Sequence, residues 1–325
     1  MKDTLMEKIG RESVARPLWR ATLGLGLMMW LATAAFAQFA FVEDSKAGTV
    51  LILDGRAPVL MYRFGDQRGG DPAASYVRSC YIHPLFAFDG RVLTDDFPDD
   101  HLHHHGVFWT WPVVKTRGRD VQTWHPAPLR QHFARWLKQE ASGDTAVLAV
   151  ENVWRLDEKE TVAKETVTIL AHRADGPGRA VDVEVVLEAV GGSLELAGAP
   201  EENKGYGGLC LRGAPLFKGA ALTTDKGPLK EDATNTVFRW ADISTADVGI
   251  AVFVHPGHPD FPIPWLARAS YAGVLNPSWP GLRRAVLEPG ASVALRYRLY
   301  IHRGDFVSGR VREAYQAYID PSTAK

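Results

Sequence analysis

The sequence predicts an all-β protein: a large antiparallel β-sandwich with one short C-terminal helix. Apolar and polar residues alternate with a period of two through much of residues 38–325, which is the pattern of half-buried antiparallel strands. Turn pairs such as Asp54-Gly55 and Gly191-Gly192 separate these runs at short intervals. Such spacing is typical of sandwiches and barrels and not of βαβ units.

Residues 1–37 read as a secretory signal peptide, ahead of a single β-sandwich domain over 38–325. Five basic residues precede the apolar run ATLGLGLMMWLATAAFA, and Ala35-Phe36-Ala37 matches a small-x-small cleavage site. The apolar run is slightly short for a helix that spans a bilayer. We therefore expect a cleaved, periplasmic or secreted protein without stable membrane association.

Two segments show the strand pattern most clearly. In AVDVEVVLE, Val181, Val183 and Val185 share one face, and in VALRYRLYI, Leu295 and Tyr297 do the same. Both segments are expected to be half-buried strands. The other strand candidates are FAFVED, TVLILD, PVLMYRF, SYVRSCYIH, HFARWLKQ, AVLAVENVW, KETVTIL, NTVFRWADI and GIAVFVH.

The one helical pattern is GDFVSGRVREAYQAYI, near the C terminus. Asp305 is a suitable N-terminal cap, and apolar residues recur at helical spacing behind it. We expect the helix to begin directly after Asp305. The apolar stripe consists of Phe306, Val307, Val311, Tyr315 and Tyr318.

Composition narrows the classes of function. The net charge of −1 argues against a nucleic-acid partner or a membrane-surface partner. Only Cys80 and Cys210 are present; they could pair in an oxidising compartment, but we favour free thiols because nothing in the sequence shows that they meet. Phosphate-binding loops, dinucleotide fingerprints and nucleophile elbows are absent from the sequence.

The stretch TDDFPDDHLHHHGVFWTW, residues 94–111, holds the densest cluster of chemically active side chains. If residues 101–111 are extended, His101, His103 and His105 lie on one face together with Trp109 and Trp111. Indole faces stack on the apolar C–H faces of sugar rings, so both tryptophans are candidate ligand-binding residues.

Three interpretations of the histidines remain open at this stage. His103 and His105, two apart on a strand, could hold a divalent metal ion together with His255. Alternatively, crowded imidazoles stay partly neutral, so His103 or His104 could exchange protons with a substrate opposite Glu202, which precedes a glycine-rich loop. The cluster could also be a solvated turn.

Four segments resemble a bacterial family catalogued as PmoA-like, or methane oxygenase PmoA, whose function is unknown. The matching segments are YIHPLFAFDGRVLTDDFPDDHLHHHGVFWTW, ENKGYGGLCLRGAP, VHPGHPDFPIPWLARASYAGVLNP and YRLYIHRGD. The family often has arginine where this chain has His105. The polar residues that match its motifs are Asp95, Asp96, His101, His103, His104, Glu202, Lys204, Tyr206, His255 and Asn276.

The resemblance implies a large β-sandwich of the kind seen in galactose-mutarotase-like proteins, and a setting among bacterial genes for carbohydrate breakdown. Methane oxidation is not expected, because the membrane methane monooxygenase needs several spanning helices. We expect an exported enzyme that performs His/Glu acid–base chemistry on a sugar or glycoside, by mutarotation, elimination or cleavage. The alternatives are a carbohydrate-binding protein without activity and a metal-dependent hydrolase or lyase. The expected ligand-binding residues are Asp95, Asp96, His101, Trp109, Trp111, Lys204, Tyr206, Asn276 and Arg78, the last for its forked donors.

Overall fold

Two nine-stranded antiparallel sheets form the body of the protein, as a computed structural model shows. The structure describes residues 38–69, 76–125, 127–270 and 273–320, all of which fall in one compact unit. The expected signal peptide, residues 1–37, lies outside the described residues. The sequence prediction of an all-β fold is confirmed.

The described residues contain 24 strands and one α-helix. The first twelve strands are β1 (Phe39–Asp44), β2 (Thr49–Asp54), β3 (Ala57–Arg63), β4 (Gln67–Gly69), β5 (Tyr76–Arg78), β6 (Tyr81–Leu85), β7 (Val107–Thr110), β8 (Val113–Thr116), β9 (Arg119–Val121), β10 (Leu129–Ala141), β11 (Thr145–Leu156) and β12 (Glu160–His172). The others are β13 (Gly178–Ala189), β14 (Leu194–Ala197), β15 (Gly208–Arg212), β16 (Ala221–Thr224), β17 (Gly227–Pro228), β18 (Ala233–Phe238), β19 (Trp240–Ser244), β20 (Val248–Val254), β21 (Ile263–Arg268), β22 (Val274–Pro277), β23 (Arg284–Leu287), β24 (Ser292–Arg303) and the helix α1 (Val311–Ile319).

Strands that follow one another in the chain mostly lie side by side in the sheets. The first large sheet runs β1-β2-β3-β6-β7-β15-β22-β21-β18, and the second runs β10-β11-β12-β13-β24-β20-β19-β16-β17. A four-stranded sheet, β23-β14-β8-β9, and the ribbon β4-β5 complete the fold. The long hairpins β10 to β13 follow from the uninterrupted alternation in their sequences.

The main hydrophobic core lies between the two large sheets. Val181, Val183 and Val185 from β13 are buried in it, as are Leu295 and Tyr297 from β24, so the faces predicted from these two segments are confirmed. Because alternate residues of each strand enter this core, a strand of the first sheet also presents a second face outward. That outer face carries the candidate site.

Two predicted strands are interrupted. SYVRSCYIH divides into β5 and β6 at Ser79-Cys80, because Cys80 adopts a left-handed backbone with φ of 64°. NTVFRWADI divides into β18 and β19, which belong to different sheets, with Arg239 between them. Alternation alone does not reveal where a chain changes sheets, since both pieces keep the period of two.

The C-terminal helix packs on the outer face of the second sheet, where Val311 and Tyr315 contact Trp240, Phe253 and Tyr300. It begins at Val311, so the prediction that Asp305 caps it is wrong. Asp305 instead accepts a hydrogen bond from the Ser308 backbone in the turn before the helix. The described part of the chain has no helix both long and apolar enough to cross a bilayer.

Both cysteines are free and buried, in agreement with the interpretation favoured from the sequence. Cys80 belongs to the main core, whereas Cys210 lies on the outer face of the first sheet. Burial raises the pKa of the Cys210 thiol to about 12. The thiol is therefore protonated and unreactive near neutral pH.

Candidate active site

A cavity of about 230 Å³ lies on the outer face of the first sheet. Its floor comes from β15, β21 and β22, and its walls come from three loops: the turns before β7, the segment after β9 and the segment before β15. The floor residues are Cys210, Leu266, Arg268, Val274 and Asn276; the wall residues are His101, His103, His104, Trp124, His125, Lys204 and Tyr206.

Four histidine rings crowd one side of this cavity. His103 lies 4.3 Å from His125 and 4.7 Å from His104, measured between ring centroids. His101 stacks on His104 at 4.7 Å with an interplanar angle of 24°. Trp124 lies beside these rings, 5.8 Å from His104, and packs against Tyr206 with ring centroids 4.7 Å apart. The cavity therefore combines aromatic faces with several imidazole nitrogens.

Most of these histidines are neutral near neutral pH. Burial, together with the neighbouring imidazoles of His125 and His101, lowers the pKa of His103 to about 3. Burial and the nearby His103 likewise hold the pKa of His104 well below its usual range. Burial and the Arg78 cation lower the pKa of His125. Neutral imidazoles both accept and donate hydrogen bonds, which suits them to bind hydroxyl groups.

The predicted pairing of histidines with Trp109 and Trp111 is wrong. Only residues 107–110 form a strand, and residues 101–106 turn, so the period of two does not continue from the tryptophans to the histidines. Trp109 and Trp111 are buried in the main core, 1% and 0% exposed, and cannot stack on a sugar. Phe108, which directly precedes Trp109, faces the opposite side of the sheet and packs against His104 and Trp124.

Asp95, Asp96 and His105 lie behind the cavity and do not line it. His105 is fully buried, and its Nδ1 lies 2.8 Å from Asp96 Oδ1. Asp96 also accepts a hydrogen bond from the Tyr81 hydroxyl. Asp95 and Asp96 line a separate groove on the surface. The expectation that these two carboxylates bind the ligand alongside the histidines is therefore not met in this cavity.

Arg78 is buried and supports the wall of the cavity without lining it. One Nη donates hydrogen bonds to the carbonyl oxygens of Thr123 and Trp124, at 3.0 and 2.9 Å. The other Nη donates to Gln131 Oε1 at 3.2 Å. The guanidinium thus fixes the backbone that carries Trp124 and His125, and it does not line the cavity in which a contact with the ligand was expected.

The loop before β15 brings Lys204 and Tyr206 to the cavity but not Glu202. The Glu202 carboxylate is exposed and pairs with Lys204 Nζ at 2.7 Å, so it does not face the histidines as predicted. Asn276 lies in the floor with its amide engaged: its oxygen accepts from the Gly207 backbone and the Ser278 hydroxyl. Its amide group donates to the Leu209 carbonyl, so it holds the Tyr206 loop in place.

The predicted metal site is not assembled. His255 packs on Tyr318 of the C-terminal helix, 5.2 Å between ring centroids, and His105 turns toward Asp96. Across the described ranges, no three His, Cys, Asp or Glu side chains are grouped so as to hold a metal ion. The set of His103, His105 and His255 therefore does not fit a divalent ion.

Four polar or aromatic residues of the site were missed by reasoning from the sequence: Trp124, His125 and Arg268 in the cavity and Asp100 beside it. Trp124 and His125 reach the cavity from a loop separated from the histidine cluster by three strands, β7, β8 and β9. An aromatic residue and a histidine directly before a proline were the only available signal. Asp100, one of four aspartates in the cluster, lies 3.1 Å from His101 Nδ1. Its partner could be identified only once the turn was known.

The chain belongs to a family described as "Family of unknown function (DUF6807)", whose model matches residues 49–316. The matched region covers both large sheets except β1, and it includes every residue that lines the cavity. No curated protein matches the chain. The family description names no activity and does not carry the PmoA name, so the resemblance to PmoA-like proteins stays a prediction.

Several solved structures are similar to the chain at low sequence identity. The Slr1438 protein from Synechocystis sp. PCC 6803 is 12% identical with a TM-score of 0.39, over 81% of this chain and 95% of that one. A GalM/aldose epimerase homologue from C. elegans is 8% identical with a TM-score of 0.37, over 82% and 100%. A heparinase III is 12% identical with a TM-score of 0.37, over 83% of this chain but 36% of that one. Likenesses this distant carry no argument about function.

Proposed function

We propose that the protein is a carbohydrate-active enzyme that binds a single sugar unit in the histidine cavity and transfers a proton on it. The observation that carries the proposal is the pairing of an aromatic wall, Trp124 and Tyr206, with four imidazoles in one small cavity. Aromatic faces bind the apolar C–H faces of sugar rings, and convergent polar groups bind the hydroxyls.

The size of the cavity supports a small ligand. Its volume of about 230 Å³ lies below the roughly 300–1,000 Å³ of pockets that enclose drug-sized molecules. Lys204 and Arg268 add charged donors at the rim and floor. We infer that one monosaccharide unit, free or at the end of a chain, is the ligand. A protein that binds the sugar without turnover is the alternative, and it predicts binding with no chemical change.

The binding part of the proposal is tested with a panel of monosaccharides followed by isothermal titration calorimetry. His103→Ala is expected to weaken binding at least about tenfold, because it removes hydrogen bonds that are worth about 0.5–1.5 kcal/mol each. His132→Ala is the matched control, since His132 is half-buried on β10 and outside the cavity. Equal affinities for the His103 variant and the unaltered protein contradict the proposed site.

We also propose that the protein is exported, on the basis of its first 37 residues. A basic segment, an apolar run and Ala35-Phe36-Ala37 follow one another in the order that signal peptidases recognise. Expression of the full chain in a bacterium, followed by periplasmic extraction and N-terminal sequencing, is expected to give a protein that begins at Gln38. A cytoplasmic protein that still begins with Met1 contradicts export.

A further inference from the structure

The arginine beneath the histidines fixes the tautomer of His104. Arg212 is buried, and its Nη1 lies 3.3 Å from His104 Nδ1. A guanidinium has donors only, so Nδ1 must be the unprotonated nitrogen of the ring. Burial, the neighbouring imidazoles and the Arg212 guanidinium hold the pKa of His104 well below its usual range, so the ring is neutral near neutral pH. His104 therefore carries its single N–H on Nε2.

Asp100 fixes the opposite tautomer in His101. Asp100 Oδ2 lies 3.1 Å from His101 Nδ1, and Asp100 Oδ1 accepts a hydrogen bond from Arg212 Nη2 at 2.7 Å. Burial raises the pKa of Asp100, but hydrogen bonds from Arg212 and His101 outweigh it and leave that pKa lowered. A carboxylate 3.1 Å away repels a lone pair on Nδ1, so the neutral form of the His101 ring carries its proton on Nδ1 and its lone pair on Nε2.

We propose that His101 and His104 form an acid–base pair of fixed polarity, in which His101 Nε2 removes a proton and the His104 Nε2–H group binds the oxygen that becomes negative. Both rings line the same cavity and stack at 4.7 Å. Asp100 stabilises the imidazolium that forms on His101, as a carboxylate does behind a catalytic histidine. Arg212 is a positioning residue for both rings.

This arrangement selects a sugar that carries a carbonyl group. A neutral imidazole is a poor acid, so His104 stabilises an oxyanion by hydrogen bonding and does not release its proton. His101 takes a proton from the carbon next to the carbonyl; the C–H electron pair forms the C=C bond of an enolate, and the carbonyl π pair moves to the oxygen held by His104. Return of a proton to the same carbon completes an exchange with solvent. The inference rests on the proposed sugar site and names its reaction class.

Nuclear magnetic resonance of the ¹⁵N-histidine-labelled protein tests the tautomers directly and requires no substrate. Near neutral pH, His104 is expected to be protonated at Nε2 only, and the neutral form of His101 at Nδ1 only. Arg212→Met is expected to release His104 into a mixture of tautomers, whereas Arg283→Met, at an exposed arginine outside the cavity, leaves both rings unchanged. If His104 in the unaltered protein is protonated at Nδ1, or is charged, the assignment is overturned. This outcome does not depend on whether the Arg212 variant folds.

The proposed removal of a proton by His101 is tested by deuterium exchange. Dihydroxyacetone and D-fructose are incubated with the protein in deuterium oxide, and loss of the proton next to the carbonyl is followed. Exchange is expected to be at least about 100-fold faster than with His101→Gln, the usual minimum for a general base, and unchanged in His132→Gln. Sugar binding is followed in the same samples by the change in tryptophan fluorescence. The part of that change that is lost in the Trp124→Phe variant is the signal of the cavity tryptophan.

The two measurements separate the possible failures. Sugar binding without accelerated exchange overturns the acid–base pair and leaves the proposed sugar site standing. Absence of binding by both sugars and by the monosaccharide panel overturns the proposed function and, with it, the carbonyl substrate. Binding together with accelerated exchange that depends on His101 supports both.

Discussion

Acidification from about pH 7.5 to about pH 5.5 is expected to lower the free energy of unfolding by at least about 3 kcal/mol, because several histidines are buried in the neutral form. Their folded pKa values lie below the unfolded value of about 6.5. As the pH falls through that value, the unfolded chain takes up protons and the folded protein does not. The contribution is therefore fully present above about pH 6.5 and is lost below it. The histidines are His83 (pKa about 4), His103 (about 3), His258 (about 4), His104 and His105.

The size of the effect follows from linkage. Each proton taken up only by the unfolded chain costs about 1.4 kcal/mol per pH unit, so five give an upper bound of about 7 kcal/mol one unit below the unfolded pKa. His83 and His103 are partly accessible, so their contributions are smaller. Burial raises the pKa values of Asp95, Asp96 and Glu165, which contribute with the opposite sign as the pH falls further.

Urea unfolding at constant ionic strength measures this loss. Calorimetric unfolding in two buffers of different ionisation enthalpy measures the number of protons taken up, which is expected to be roughly three to five near pH 5.5. Equal free energies of unfolding at the two pH values, or an uptake close to zero, would show that these histidines are hydrated in the folded protein.

Replacing Glu165 with leucine is expected to cost at least about 3 kcal/mol of stability, since three buried donors lose their acceptor at about 1–3 kcal/mol each. Glu165 is fully buried on β12, inside the sandwich. Its carboxylate accepts hydrogen bonds from Asn152 and Trp154 at 2.8 Å and from Gln131 at 3.3 Å. Glu165→Gln keeps one oxygen acceptor, and its expected cost is about 1–3 kcal/mol.

The matched control is Glu151→Gln on the neighbouring strand. Glu151 pairs with the exposed Arg135 at 3.0 Å, and surface pairs of this kind contribute about 0–1 kcal/mol. Urea unfolding of the variants compares the two positions. A Glu165→Leu variant that loses no more stability than the Glu151 variant would mean that the donors find other partners. Gln131 also accepts from Arg78, so the leucine variant is expected to loosen the Trp124 loop.

Much of the fold follows from the sequence because alternation with a period of two depends only on which residues face a core. That signal found β13 and β24 with their buried faces. The site was harder to predict because it depends on turns. The six residues from His101 to Gly106 break the period, so the histidines face Phe108 and not Trp109.

Contacts between residues that are far apart in the sequence could not be predicted. His101, His103, His104, Lys204 and Tyr206 were identified because they lie in dense polar motifs, and they do line one cavity. The contacts of Arg212 with His104 and Asp100 join residues more than 100 positions apart. Contacts across such separations depend on strand pairing, which a single sequence does not specify.

The division of the cavity into a sheet floor and loop walls has a consequence for how this family can diversify. The floor strands β15, β21 and β22 are paired on both sides within the first sheet, so they tolerate little change. The three wall segments are loops, which accept substitutions and insertions more readily than strands do. Descendants of one ancestral sandwich could thus acquire new ligands by altering the walls alone, and a shared fold within the family does not require a shared substrate.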